Sequence, residues 1–137
     1  MKTKLLCALA LLAFGFNSVH AADALDEQQF KKLMKEVGRV AKGFKDNAQA
    51  KKADVLEKDS ARLAEIYTQM AGFWKERNAD DAAKWSTASA TAAKATAAAA
   101  KAGDWDKVKT HWSAVNKNCK ECHEAHREKV GNGYKIK

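Results

Sequence analysis

Apolar residues first fall into a helical rhythm at Phe30, Leu33, Met34, Val37, Val40, Ala41 and Phe44. Steps of three and four put all of them on one face of a 3.6-residue helix. Asp26 and Gln29 give the start signal, because each side chain can satisfy an orphan amide at the other residue. The polar residues 46–52 read as a loop. From about Ala53 the stripe returns at Leu56, Leu63, Ile66, Tyr67, Met70, Phe73 and Trp74. Residues 75–77 end this second helix, with Lys75 and Arg77 where the macrodipole favours cations. A third helix follows, with Asn78 as its expected cap and Asp80 and Asp81 in its first turn. Through Ala102 it is nearly all Ala, Lys, Thr and Ser around Trp85. Ala is the best helix former, and small side chains let a helix lie close to its neighbours. Gly103 stands at the natural C-cap position, and Asp104 caps a fourth helix whose stripe runs Trp105, Val108, Trp112, Val115, Cys119, Cys122. Gly131, Asn132 and Gly133 are expected to stop it and leave residues 134–137 as a tail. No strand alternation competes. The pattern predicts an all-α fold, an antiparallel four-helix bundle joined by short loops.

The N-terminus changes the picture of what matures. Lys2 and Lys4 precede an apolar run from Leu5 to Phe16, and a short polar stretch ends in Val19, His20 and Ala21. This reads as a secretory signal peptide over residues 1–21, cleaved before Ala22. The run is about 12 residues, too short to span a bilayer, and no later stretch is apolar enough. Residues 22–137 are therefore expected to be one exported domain with no integral membrane segment, periplasmic in location. Cys7 leaves with the peptide. Leu6 stands before it where a lipoprotein needs a small residue. The two remaining cysteines are Cys119 and Cys122, so no structural disulfide is expected. Removing residues 1–21 takes away two Lys and no acid, which lowers the formal charge from +8 to +6. A basic surface keeps a protein soluble and also steers acidic partners. No nucleic-acid motif accompanies it.

Candidate chemistry is concentrated in Cys119-Lys120-Glu121-Cys122-His123. C-x-x-C-H is the attachment signature of c-type haem. On a helix, Cys119 and Cys122 share a face one turn apart and can form thioethers to the two vinyl groups of one haem edge. His123 follows directly, and its imidazole can bind the iron from the proximal side. Large aliphatic residues are few, so a haem would fill a core that is otherwise thin. Gly38, one turn after Met34, would let a flat group approach the first helix closely.

Two other readings use the same residues. Zinc could take Cys119, Cys122, His123 and His126, but four ligands within two helical turns surround a metal poorly. A thiol–disulfide oxidoreductase would place C-x-x-C beside strands, and none are predicted. His111 lies 12 residues before His123, about 18 Å along the axis, and cannot reach the same iron. His126 is expected to pack beside the proximal site, and Met70 to pack in the core. Met34, by its place on the stripe, is either core packing or a sulfur donor facing His123.

With these residues in place, the region after the signal peptide resembles the class II cytochromes c, the cytochrome c-prime family. Cys119, Cys122 and His123 near the C-terminus match its motif, as does a basic residue four positions beyond the ligand, Arg127. Leu33-Met34-Lys35-Glu36-Val37-Gly38 is similar to its distal segment. The resemblance implies one covalent haem c whose iron is held by His123. It also implies a choice between two branches. One keeps a five-coordinate iron and binds nitric oxide or carbon monoxide. The other uses a distal Met as sixth ligand and transfers electrons, with no enzymatic reaction. The family often has an aromatic before its basic residue, and here that place is taken by His126. The five-coordinate branch commonly carries Tyr-Arg-Gln ahead of the distal residue, where this chain has Gln29-Phe30-Lys31 and so lacks the Arg. The resemblance is closer to the second branch. It implies Met34 as the distal iron ligand and allows a homodimer, while acidic redox proteins as partners follow from the basic surface.

Overall fold

A computed structural model describes residues 25–137. The signal peptide expected over residues 1–21 lies outside the described residues. Four helices follow in order: α1 (Glu27–Gln49), α2 (Ala53–Glu76), α3 (Asp80–Lys101) and α4 (Trp105–His126). A two-stranded antiparallel hairpin, β1 (Arg127–Val130) and β2 (Gly133–Ile136), ends the chain. The expected four-helix bundle is what forms. Among the described residues no helix is long and apolar enough to cross a membrane.

The cap signals act largely as expected. Asp26 accepts from the Gln29 amide at 2.7 Å while the Gln29 side chain accepts from the Asp26 amide at 2.8 Å, a complete capping box. Asp104 accepts from the Lys107 amide at the start of α4. Gly103, at φ +70, takes the left-handed turn that ends α3.

Three expectations need correction. α1 runs through Asp46 to Gln49, so the loop before α2 is only residues 50–52. Its polar residues lie on the exposed side of a helix rather than off it. Asn78 does not cap α3. It sits in the left-handed region at φ +55, which Asn tolerates better than most residues, and α3 begins after Ala79 with no side-chain cap. α4 stops at His126, five residues before Gly131, because Arg127 turns extended (φ −118°, ψ 130°) and enters the hairpin. Residues 127–130 and 133–136 are therefore paired strands and not helix plus tail. Gly131, at φ +56, is the first central residue of the two-residue turn, where a II′-type hairpin requires glycine.

α2 and α3 form the tightest pair, and α3 also packs closely on α4. The composition of α3 explains this: its inward face is Ala82, Ala90, Ala93, Ala97 and Ala100 with Ser86, Ser89 and Thr96, all buried. Small side chains bring the axes together, and α2 supplies the bulk with Leu63, Ile66, Tyr67, Met70, Phe73 and Trp74. α1 lies on α2 more loosely, joined by the Arg62 guanidinium across to both Glu36 oxygens at 2.9 and 3.2 Å. α1 and α4 meet at the C-terminal end of α1, where Phe44 stacks on Trp112 at 3.8 Å between centroids and 6° between planes. Towards the other end they diverge.

Candidate functional site

A cavity of about 550 Å³ occupies that divergence, within the usual range of about 300–1,000 Å³ for cofactor pockets. α1 contributes Phe30, Met34, Val37 and Gly38 to its wall; α4 contributes Trp112, Val115, Cys119, Cys122 and His123. Tyr67 and Trp74 from α2, Trp85 and Ser86 from α3 and Tyr134 to Ile136 from β2 complete it. Every residue named from the sequence as a haem anchor or iron ligand lines this one space. Met34 is on the opposite helix from His123, and both cysteines lie between Val115 and His123 on α4.

Gly38 faces the cavity, and a Cβ built on it meets no atom within 4 Å. The expected open approach to α1 is present. Met70 is buried in the core and is not part of the wall. His111 is half-buried on α4 and likewise lies outside it. His126 does border the cavity, beside the proximal residue as expected. Its Nε2 lies 2.9 Å from Asp81 Oδ1, and its ring packs 5.0 Å from Trp74 and 6.3 Å from Trp85. That hydrogen bond holds the Asp81 carboxyl below the usual carboxylate range.

Burial sets the protonation of the motif. It raises the Cys119 thiol, with the Tyr67 hydroxyl partly opposing, and pushes Cys122 up to about 11. Both sulfurs are thus neutral thiols at neutral pH. Burial first, and Arg127 second, hold the His123 imidazole below its ordinary value. A neutral imidazole is the form that ligates a metal.

Tyr67 was not legible as a site residue from its place on the α2 stripe. It is 4 % exposed, and its hydroxyl lies 3.2 Å from Cys119 Sγ. The available signal was chemical: a phenol buried at the centre of a bundle needs a hydrogen-bond partner.

The residues present fit a haem. The surface of the wall is mostly apolar, which suits a flat apolar macrocycle. Its charged members are Lys31, Lys35, Arg127 and Lys135, with no carboxylate among them, and haem carries two carboxylates. The zinc alternative fares worse. Among the described residues no three His, Cys, Asp or Glu side chains gather closely enough to hold a metal ion.

Comparison with known proteins adds one finding. The chain matches none of the curated proteins and none of the solved structures it was set against. A family model described as Cytochrome C' matches residues 17–127, a span that takes in all four helices and the Cys119–His123 run. On that match, and with its motif lining a cavity of suitable shape and chemistry, the chain belongs to the cytochrome c′ family.

Proposed function

We propose that the protein is an exported, periplasmic electron carrier holding one haem c, with His123 and Met34 as the axial ligands of its iron. One observation carries the reading: Met34 and His123 line the same cavity from facing helices, α1 and α4, with both cysteines beside them. Bound there, haem supplies an iron that takes up and gives back a single electron. Cys119 and Cys122 anchor the group as thioethers, and His123 presents a neutral ring nitrogen. Met34 would offer a thioether sulfur to the iron, a ligand type that raises the reduction potential. Phe30, Trp74, Trp85 and Trp112 exclude water from the centre. Lys35 and Arg127 add positive charge to its wall, while Lys31 and Lys135 are paired with Glu27 and Glu128. The basic excess of the chain as a whole steers acidic redox partners. No substrate chemistry is part of the reading.

A second reading has its own support. The Met34 side chain is half-buried and packs against the main core cluster, so it can serve as packing and leave the sixth position open. The protein would then bind nitric oxide or carbon monoxide. Absorption spectra of protein exported with working haem maturation separate the two. A low-spin ferric spectrum with a Met-to-iron charge-transfer band, lost in Met34→Ala, is the expected result. A high-spin spectrum that Met34→Ala leaves unchanged would transfer the assignment to gas binding. Absence of a Soret band would end both.

A further inference from the structure

The family match stops at residue 127, yet the residues after it are folded against the site. An isolated two-stranded hairpin is marginal in water, so this one must lean on the bundle. Lys137 fastens it to α4, through its amide to the His126 carbonyl at 3.0 Å and its ammonium to the Glu124 carbonyl at 3.1 Å. The register pairs Arg127 with Ile136 and Lys129 with Tyr134, which puts these four on one face. On that face the Arg127 guanidinium lies over the Tyr134 ring, 4.1 Å from its centroid, and Ile136 packs against the main core cluster.

The position of the hairpin gives it a task. α1 and α4 are the two terminal helices of the bundle, so no loop joins them at the end where α1 starts and α4 finishes. The cavity reaches that end, since Phe30 and Lys31 of the first turns of α1 share its wall with His126 and Arg127. β2 stands there, with Tyr134, Lys135 and Ile136 lining the cavity.

We propose that the hairpin is a cover for the haem cavity, in which Tyr134 and Ile136 close the open end of the cleft between α1 and α4 and limit the entry of small ligands to the iron. The proposal rests on the haem reading above. It assigns Tyr134 and Ile136 to access control, a role the four helices alone would not supply.

The test is carbon monoxide association with the ferrous, haem-loaded protein, carried out in a Met34→Ala background so that entry alone is timed. Tyr134→Ala/Ile136→Ala is expected to raise the association rate about tenfold. Helix content and Soret absorbance per protein should stay unchanged. Tyr134 is 54 % exposed, so Tyr134→Ala alone leaves the bundle intact and must raise the rate in the same direction. A chain ending at Arg127 should match or exceed the double variant. Unchanged rates in haem-loaded Tyr134→Ala and in the double variant would overturn the cover while leaving the haem reading standing. Exported protein that carries no haem would overturn the haem reading, and the cover with it.

Discussion

The Tyr67 hydroxyl on α2 and the Cys119 sulfur on α4 lie 3.2 Å apart, in the interior of the bundle. Desolvation keeps this phenol protonated well above its ordinary range, so it always has a proton to give. A sulfur that has become a thioether keeps only lone pairs, and the phenol must then be the donor. Tyr67→Phe removes the bond and almost no volume. It is expected to lower the unfolding free energy of the haem-loaded protein by about 1 kcal/mol in urea titration, the usual net worth of one internal hydrogen bond. Equal stability of variant and parent would show that the contact contributes nothing once the sulfur is alkylated.

The close approach of α2 and α3 makes a second claim testable. Ala93 is 0 % exposed on the face of α3 that packs into the bundle, so there is no room beside it for three more carbons. Ala93→Leu is expected to cost about 1–3 kcal/mol, the range for overpacked cores. Ala98, exposed on the same helix, provides the control, since Ala98→Leu changes propensity only slightly. Thermal unfolding of both variants separates packing from helix preference. Similar midpoints for the two would mean that α3 does not depend on its small residues.

The same helix shows how far the sequence could be read. Periodicity locates α2 because Leu, Ile, Phe and Trp recur on one face, and α4 because Trp and Val do. In α3 almost every position is small, so periodicity was faint, and propensity with Gly103 and Asp104 marked the helix instead. The haem anchors were legible because C-x-x-C-H states its own geometry within five residues. Tyr67 joins the site by tertiary packing, lining its wall and meeting a residue 52 positions away, which no local pattern encodes. The C-terminal hairpin is illegible for a different reason. Gly131-Asn132-Gly133 reads as a helix stop, yet a Gly-Asn pair between two short segments is also a hairpin turn signal. Strand pairing with residues 133–136 decided between the two meanings, and that is a tertiary fact. Asn78 shows the same ambiguity on a smaller scale, since Asn serves both as an N-cap and as a left-handed turn residue.

Acidification should reveal the carboxylates that hold partners. Hydrogen bonds from Arg62 to Glu36, His126 to Asp81 and Lys107 to Asp104 hold each of these acids below its ordinary value. Between the folded and unfolded values the unfolded chain binds more protons, so stability is complete above the unfolded values and is lost as pH falls through the folded ones. The carboxylates' contribution to the urea midpoint is therefore expected to be flat above about pH 5 and to fall below about pH 4. Arg62→Ala frees Glu36 from its partner. The stability gap between this variant and the parent should shrink as the pH is lowered toward about 3. A gap independent of pH would assign the role of Arg62 to packing of its aliphatic stem.

Two buried hydroxyls on neighbouring helices should respond with opposite sign. Thr96 on α3 and Ser60 on α2 are both 0 % exposed. Thr96 donates to the Ala92 carbonyl at 2.9 Å, whereas Ser60 Oγ has no hydrogen-bond partner among the described residues. Burying an unpaired hydroxyl costs about 1–3 kcal/mol. Ser60→Ala removes that cost, leaves only a small void and places a better helix former in mid-helix. It is expected to stabilise the protein by about 1 kcal/mol. Thr96→Ala loses a satisfied bond and a buried methyl group and is expected to destabilise by about 1–2 kcal/mol. Denaturant titration of both variants reads the two signs directly. Destabilisation by Ser60→Ala would show that the hydroxyl has a partner in solution, and an internal water is the chemistry that fits.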